Sequence, residues 1–484
     1  MKYETVVGLE IHVELKTQSK MFCACSTAFG SEPNSQCCPI CLGIPGALPT
    51  INKKAVELAI KTGLALNCKI SEYNTMDRKN YFYPDLPKAY QTTQQYHPIC
   101  RDGYLDINID GRKKRVGITR IHLEEDAGKL IHDSENSLSL IDYNRAGVPL
   151  IEIVTEPHIE SPEEAVAFLE ELRNILIYLD VSDCKMQEGS LRCDVNLSIR
   201  PKGQTSLGTR TEMKNLNSFR AVQRAIKNEA ERQQNILESG GEILQETRRW
   251  DDLKGQSVAM REKQEADDYR YFQDPDLVPF IIDNQMVEKI KNNMPELPAQ
   301  KRERFVSEYG LPEYDSRILT SSRELADFFE ASVKLYDEMK GSKESKTVSN
   351  WLMGDLMRLT KELGVELGDL KLTPSLLVQL LKLIDQGVIS SPIAKEVFDE
   401  MCQSGQEPDK IVEKKGLRQI SDIDQLKEIV RKVIQENPKT IADYKAGKKK
   451  AFGHLVGQTM KKTKGKANPQ LVNKLLQDEI NIFQ

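Results

Sequence analysis

The sequence has no long apolar run and no strong excess of charge of either sign. No stretch of its 484 residues approaches the about 18 consecutive apolar residues of a membrane-spanning helix. The chain enters a predicted strand almost at once, so we expect neither a signal nor a transit peptide. A net charge of −5 says little about nucleic acid. With 39% hydrophobic and 29% charged residues, the composition fits a soluble globular protein with about three domains.

The sequence also lacks the common motifs of nucleotide and metallopeptidase sites. We find no G-x-x-x-x-G-K-[ST], no G-x-G-x-x-G after a strand and no H-E-x-x-H. Any ATP site in this chain would therefore be of a kind without a P-loop.

Ten cysteines without a secretory signal indicate reduced thiols or a metal site, and hence a cytoplasmic protein. Cys23 and Cys25 are followed, after a loop rich in Gly, Pro, Ser and Asn, by Cys38 and Cys41. Two such pairs can close a tetrahedral thiolate site around a structural zinc ion. Cys37 could replace Cys38, and a set of unligated thiols is the alternative. The other cysteines are expected in the core.

Residues 6–15 alternate between apolar and polar side chains, which predicts a β-strand. Its polar face carries two carboxylates and an imidazole, from Glu10, His12 and Glu14. These groups can bind a hard or borderline divalent cation. A strand with a solvated polar face is the alternative for this segment alone.

Further predicted strands carry similar polar faces. Residues 114–121 lead into Glu124, Glu125 and Asp126, three acids that are costly to bring together unless a cation neutralises them, although a solvated turn would tolerate them. Polar residues of one parity recur in 188–196 and 210–217, namely Glu188, Ser190, Arg192, Asp194 and Asn196, then Glu212 and Lys214. Carboxylates and His can hold magnesium, and Arg and Lys can neutralise phosphate, so these faces predict a phosphoryl-transfer site.

The loop Asp77–Tyr90 interleaves basic and aromatic side chains between prolines. Such a loop can hold phosphates and stack on a base. A surface loop anchored by its aromatic residues is the alternative.

Beyond about residue 298 the sequence predicts helices. Apolar residues with 3-4 spacing occur near 299–309, 321–340, 346–363, 374–386 and 393–403. Residues 445–474 contain nine lysines and no acid, which indicates contact with a phosphate backbone. A solvated basic segment is the alternative.

Four stretches resemble the B subunit of the aspartyl/glutamyl-tRNA(Asn/Gln) amidotransferases. They are Gly8–His12, Tyr143–Pro157, Met186–Asn196 and Asp268–Phe272. The resemblance covers the whole chain. No large insertion lies between residues 215 and 410, so the bacterial three-subunit form is more similar than its archaeal relative.

The resemblance implies an α+β fold with three domains. Residues 1–294 would form an antiparallel-sheet catalytic domain, similar to glutamine synthetase and guanidino kinases, with a zinc knuckle. Residues 295–410 would form a helical domain, and residues 411–484 a small helical tail that binds tRNA.

The resemblance also implies a reaction and its partners. ATP would phosphorylate the side-chain carboxylate of Glu-tRNA(Gln) or Asp-tRNA(Asn), and ammonia would displace the phosphate. A separate amidase subunit would release ammonia from glutamine, and a small third subunit would hold the other two together. A zinc-stabilised scaffold that only binds tRNA is the alternative function.

Site residues follow from the positions that match the family motifs. Candidate magnesium ligands or ammonia-path groups are Glu10, His12, Glu124, Glu125, Asp194 and Glu212, and manganese could replace magnesium because His12 is an unusual magnesium ligand. The groups expected to act in catalysis are Glu10, His12, Glu125 and Lys214. Phosphate contacts are expected from Arg192, Lys214 and Asn215, and contacts to ATP or the tRNA end from Lys79, Tyr81 and Tyr83. Zinc would be held by Cys23, Cys25, Cys38 and Cys41.

Overall fold

A computed structural model describes residues 3–133, 138–262, 269–419, 423–445, 447–463 and 466–482. The chain divides into two compact units, Met1–Pro298 and Ala299–Gln484. The predicted boundary at residue 410 inside the second unit stays a prediction. Asp268 of the fourth family motif and Lys464 of the lysine-rich segment lie outside the described residues.

The first unit contains the strands. They are β1 (Tyr3–Glu14), β2 (Lys69–Ile70), β3 (Tyr73–Asn74), β4 (Asp77–Asn80), β5 (Tyr90–Thr93), β6 (Cys100–Ile109), β7 (Arg112–Glu125), β8 (Lys129–Asp133), β9 (Leu138–Asp142), β10 (Pro149–Thr155), β11 (Leu191–Pro201), β12 (Thr211–Leu216), β13 (Glu246–Asp251), β14 (Gln256–Glu262), β15 (Phe272–Gln273) and β16 (Phe280–Ile281). Its helices are α1 (Lys53–Ala65), α2 (Pro162–Tyr178), α3 (Phe219–Glu238) and α4 (Asn284–Asn292).

The second unit is helical. Its helices are α5 (Pro298–Tyr309), α6 (Glu313–Leu319), α7 (Arg323–Lys340), α8 (Ser345–Trp351), α9 (Met357–Leu363), α10 (Pro374–Asp385), α11 (Ser391–Ser404), α12 (Pro408–Lys414), α13 (Ile423–Glu436), α14 (Pro438–Lys445), α15 (Lys449–Lys462) and α16 (Pro469–Ile482). A π-helical turn, Leu352–Leu356, joins α8 to α9, and a 3-10 turn covers Leu367–Asp369. The predicted helices of this region are confirmed. Among the described residues no helix is both long and apolar enough to span a membrane.

One large sheet organises the first unit. Within the described residues its strands run in the order β14-β13-β12-β11-β1-β10-β7-β6-β2. All neighbours are antiparallel except β12 and β13, which are parallel. The expected antiparallel sheet with a helical C-terminal region is therefore confirmed, with one parallel pair added. β1 lies in the middle of this sheet, because residues 3–14 pair with β11 on one side and β10 on the other.

The two faces of β1 differ as the alternation predicts. Leu9, Ile11 and Val13 are buried, whereas Glu10 and His12 between them are half-buried. The apolar face joins a core that includes residues of three helices, among them Leu58 of α1, Phe168 of α2 and Val222 of α3. Burial of this face against helices leaves the opposite face of the sheet to carry the polar side chains.

Local signals fix where the helices begin. The Ser161 hydroxyl accepts a hydrogen bond from the Glu164 backbone N–H and Pro162 occupies the first turn of α2, as predicted. One predicted strand starts later than expected, because Glu188 and Ser190 lie in a turn and β11 begins at Leu191. Glu188 there pairs with Lys185 and is not part of the polar face.

Candidate active site

A cavity of about 600 Å³ opens on the polar face of the sheet. Side chains from neighbouring strands line it, because residues of one parity on paired strands lie side by side. The register places Arg192, His12, Glu152 and His122 in one row across β11, β1, β10 and β7. The polar lining includes Glu10, His12, Lys79, Arg120, His122, Glu124, Glu152, Asp194, Asn196, Arg210, Glu212, Lys214 and Thr247, together with Tyr83, Tyr269 and Tyr271.

Three side chains form a cluster that can hold a metal ion. His12 Nε2 lies 3.3 Å from Glu124 Oε1 and 3.6 Å from Glu152 Oε2. The ligand atoms of the three residues all lie within 4.8 Å of one another. A second imidazole contacts this cluster, since His122 Nε2 lies 3.2 Å from Glu152 Oε2.

The electrostatics of the cluster favour a bound cation. Burial lowers the pKa of His12, so its imidazole is neutral and can act as a ligand. Burial and the nearby Glu152 carboxylate raise the pKa of Glu124 well above its usual value. Burial alone would raise the pKa of Glu152, but the charge of His122 and its hydrogen bond to the carboxylate outweigh burial and hold that pKa low. Glu124 Oε1 is buried and accepts no hydrogen bond from the described residues, so the cluster fits a divalent cation that would supply the missing positive charge.

The other acids of the cavity already have partners. Lys214 Nζ lies 2.7 Å from Asp194 Oδ2 and 2.8 Å from Glu212 Oε1. Thr247 donates a 3.0 Å hydrogen bond to Glu212 Oε2. Burial alone would lower the pKa of Lys214, but the two carboxylates hold it above its usual value, so the ammonium group is charged.

Glu10 belongs to this second group as well. Asn196 donates a 2.8 Å hydrogen bond to Glu10 Oε1. Burial, followed by the charge of Glu152, raises the pKa of Glu10. Of the six predicted magnesium ligands, the structure thus brings five to one cavity but gives only His12 and Glu124 the environment of an open metal site.

Glu125 was predicted as a magnesium ligand or an ammonia-path group, and the structure places it away from the cluster of His12, Glu124 and Glu152. Successive residues of a strand face opposite sides of the sheet, so the Glu125 side chain points into a second cavity of about 250 Å³. There its carboxylate pairs with Lys88 and accepts a 2.9 Å hydrogen bond from the Thr92 N–H. Cys41 and Lys20 line the same cavity.

Two of the residues predicted to contact phosphate, Arg192 and Asn215, already have partners within the chain. Arg192 Nη2 lies 2.9 Å from Asp126 Oδ1, and Arg145 Nε lies 3.3 Å from the other oxygen of that carboxylate. Arg192 therefore already has a carboxylate partner. Asn215 donates a 3.0 Å hydrogen bond to the Trp250 carbonyl and does not line the cavity.

Asp126 also faces Glu14, the third acid of β1. Burial and the charge of Asp126 raise the pKa of Glu14 to about 7. Asp126 itself is neutralised by Arg192 and Arg145.

The aromatic loop brings a cation to the cavity. Lys79 Nζ lies 4.8 Å from the centre of the Tyr269 ring and 5.7 Å from that of Tyr81. Tyr83 lines the cavity and is half exposed, whereas Tyr81 packs edge-on against Tyr269. The structure thus brings Lys79 and Tyr83 to the polar face.

The four predicted cysteines lie together. The Sγ atoms of Cys23, Cys25, Cys38 and Cys41 are all within 4.8 Å of one another. Cys37 is not part of the group, since its Sγ faces Asn144 Oδ1 at 4.0 Å. A hydrogen bond from the Cys23 thiol, together with the Cys38 N–H and the charge of Lys20, lowers the pKa of Cys41 to about 4. Four convergent thiols, one of them readily ionised, fit a tetrahedral zinc site.

Sequence reasoning missed several residues of the cavity, above all Glu152. The signal was present, since Glu152 stands between the buried residues Ile151 and Ile153 just as Glu10 stands between Leu9 and Ile11. Its pairing with His12 could not be read from the sequence, because 140 residues separate them.

This sheet face combines an open cluster of His and carboxylate side chains with cationic side chains that form no ion pair with any described residue. Such a face is typical of an enzyme domain that binds a divalent cation and an anionic substrate. Comparison with protein families gives a more specific class. Residues 5–288 match the GatB/GatE catalytic domain, and residues 327–480 match the GatB domain.

Curated relatives agree over the full length. The B subunit of the aspartyl/glutamyl-tRNA(Asn/Gln) amidotransferase of Thermoanaerobacter pseudethanolicus is 60% identical over 481 residues, which cover 99% of this chain and 100% of the relative. The proteins of that name from Caldicellulosiruptor bescii and Moorella thermoacetica are 58% and 54% identical, and cover 99% of this chain as well as 99% and 100% of the relatives. The chain belongs to the family of the B subunits of aspartyl/glutamyl-tRNA(Asn/Gln) amidotransferases.

Proposed function

We propose that this chain activates and amidates the amino acid of a misacylated tRNA. Its relatives are named as the B subunit of aspartyl/glutamyl-tRNA(Asn/Gln) amidotransferase. The substrates would be Glu-tRNA(Gln) or Asp-tRNA(Asn), and the products Gln-tRNA(Gln) or Asn-tRNA(Asn). The structural observation that carries the proposal is the cluster of His12, Glu124 and Glu152 in a cavity lined by cationic side chains.

The chemistry requires activation of a poor electrophile. Phosphorylation by ATP converts the side-chain carboxylate of the substrate into an acyl phosphate, and ammonia then displaces the phosphate to form the amide. Charge develops on phosphoryl oxygens in the first step, so positive groups near the cavity would stabilise its transition state.

The chain's own residues have distinct parts in this proposal. His12, Glu124 and Glu152 would hold magnesium or manganese, which when bound would supply positive charge to offset that of the phosphate. Lys214 keeps a positive charge in the cavity because Asp194 and Glu212 fix its ammonium group.

The nucleotide contacts rest on the cavity's aromatic and basic residues. Lys79 and Tyr83 line the cavity and could contact a phosphate and a base. Arg192 would act through Asp126, which it already contacts.

Glu125 suits the second role that the family resemblance implies, the ammonia path. It lines a separate cavity together with Lys88, where the pair would meet a small nitrogen species rather than the metal. An amidase subunit would supply ammonia from glutamine, and a third, small subunit would complete the assembly.

The remaining proposals concern zinc, tRNA and fold. Cys23, Cys25, Cys38 and Cys41 would hold a structural zinc ion. The helical tail beyond residue 410 would contact tRNA through its lysines, in the cytoplasm. The sheet of the first unit would resemble the cores of glutamine synthetase and guanidino kinases, a proposal supported by its largely antiparallel order and by the absence of a P-loop motif from the sequence.

The metal site is tested by two adjacent residues with equal burial. Glu124 and Glu125 are each 3% exposed but face opposite sides of the sheet. In the complex assembled with its partner subunits, we expect Glu124→Gln to weaken manganese binding at least tenfold, measured by electron paramagnetic resonance, and to abolish ATP-dependent amidation. Glu125→Gln should bind manganese as the wild type does. Equal metal affinity in the wild type and Glu124→Gln would contradict the assignment.

The activity itself is tested by omission of the ammonia source. With ATP, magnesium and misacylated tRNA alone, the complex should accumulate a phosphorylated aminoacyl-tRNA that hydroxylamine traps. A scaffold that only binds tRNA would form none, and failure to trap it together with absence of ATP-dependent amidation would exclude the proposed function.

A further inference from the structure

Not every cation of the active-site cavity has a carboxylate partner. Lys214 pairs with Asp194 and Glu212, but Arg120 on β7 forms no ion pair with any described residue. The Arg120 side chain is half-buried. Removal of a guanidinium group from water is costly without a compensating anion, and none of the described residues supplies one, so its position favours an anionic ligand.

The neighbouring strand adds a second arginine instead of an acid. Arg101 on β6 lies directly opposite Arg120 in the antiparallel register. Like charges in directly opposed positions destabilise a strand pair. The only hydrogen bond that the Arg101 side chain makes to a described residue goes to the Tyr96 carbonyl, 2.8 Å away. Two arginines thus lie opposite each other on β6 and β7, and the one that lines the cavity is Arg120.

This edge adjoins the metal cluster. Arg120 precedes His122 by two residues and shares its strand face, so the two side chains begin about 7 Å apart. Lys79 lines the same cavity as Arg120 and the metal cluster. Tyr271 lines the cavity together with Arg120, and burial raises the pKa of its hydroxyl to about 12.

We propose that Arg120 and Arg101 form a phosphate-binding subsite at the β6–β7 edge of the cavity, next to the His12, Glu124 and Glu152 cluster. The inference rests on the proposed function, since both substrates of that reaction carry phosphate. Arg120 binds the phosphate directly, and Arg101 adds charge from the rim. The phosphate comes either from ATP or from the 3′ end of the tRNA.

The test uses the complete enzyme with two separate probes. One is a non-hydrolysable ATP analogue with magnesium and no tRNA, and the other is deacylated tRNA with no nucleotide. Arg120→Gln should weaken the binding of one of the two probes about 10- to 100-fold, which is the range for loss of a hydrogen bond to a charged group. Weaker binding of the analogue assigns the subsite to the nucleotide, and weaker binding of the tRNA assigns it to the tRNA end.

Three further variants make the result specific. Arg120→Lys keeps the charge and should lose less affinity than Arg120→Gln, whereas Arg101→Gln, at an exposed position, should show a smaller loss for the same probe. Arg112→Gln is the matched control. Arg112 is exposed on the same strand about 26 Å from Arg120, so the Arg112→Gln enzyme should bind both probes as the wild type does. Affinities within twofold of the wild type for both probes in Arg120→Gln and Arg101→Gln would overturn the proposal, as would equal losses in Arg120→Gln and Arg120→Lys. A separate assay of ATP-dependent amidation by the wild-type enzyme tests the proposed function, so failure of that function can be told from failure of the subsite.

Discussion

Replacement of Glu229 should reveal how the far edge of the sheet is held in place. Glu229 lies on α3 and is 0% exposed, and its carboxylate contacts Thr211 of β12 and Arg248 of β13. Its carboxylate accepts a 2.9 Å hydrogen bond from Thr211 and two, at 2.7 and 2.8 Å, from Arg232.

The magnitude follows from the partners that would remain. Removal of one member of a buried ion pair costs about 3–5 kcal/mol, because it leaves an uncompensated charge. Arg248 lies 3.4 Å from Glu229 but also 2.5 Å from Glu246, and the partly exposed Arg232 can turn towards water. We therefore expect Glu229→Ala to cost about 3 kcal/mol, at the lower end of that range, or about 6 °C in Tm for a unit of this size.

The pH dependence has a definite sign. Burial alone would raise the pKa of Glu229, but hydrogen bonds from Arg232 and its neighbours lower it below the usual value. A lowered folded-state pKa stabilises the fold above the unfolded-state value of about 4.3, and this contribution is lost as pH falls through the folded-state value. The Glu229→Gln variant should lack this part of the acid sensitivity.

Thermal and urea unfolding of the purified chain, followed by circular dichroism, would measure these effects. Glu231→Ala is the matched control, because Glu231 lies on the same helix and is exposed. Its Tm should change by less than about 1 °C. A loss below about 1 kcal/mol for Glu229→Ala would refute the reasoning, since it would mean that Arg248 and Thr211 find other partners at no cost.

Two further predictions concern the zinc group and the tail. Cys41→Ser should remove the single bound zinc found by elemental analysis and lower Tm, whereas Cys37→Ser should keep the metal; loss of zinc in Cys37→Ser would disprove the ligand set. Lys450, Lys461 and Lys474 are exposed and form no ion pair with any described residue. Their joint replacement by Gln should weaken tRNA binding and reduce the slope of log affinity against log salt by about 2–3, and an unchanged slope would exclude them from the interface.

Much of the local structure could be predicted from short stretches of sequence. The alternation of Leu9, Glu10, Ile11 and His12 predicted a strand with one polar face, which β1 has. Ser161 before a proline predicted the start of α2. These signals are local, because hydrogen bonding and side-chain direction within an element depend on nearby residues alone.

The composition of the site could be predicted only in part. Glu124 and Glu125 are neighbouring residues of the same type, and the alternation of side chains along a strand does not by itself say which of them faces the cavity. The structure separates them, since the pairing of β7 with β10 sets Glu124 beside the His12 cluster and leaves Glu125 with Lys88.

By itself, the sequence determined which strands carry a polar face, where four cysteines can meet and where helices begin. Only the tertiary structure decided that His12 faces Glu152, that Lys214 neutralises Asp194 and Glu212, and that Arg120 pairs with no acid among the described residues. The physical reason is that strand order and register depend on contacts between residues far apart in the chain. A side chain becomes a ligand, a counter-ion or an open cation only when those contacts decide its neighbours.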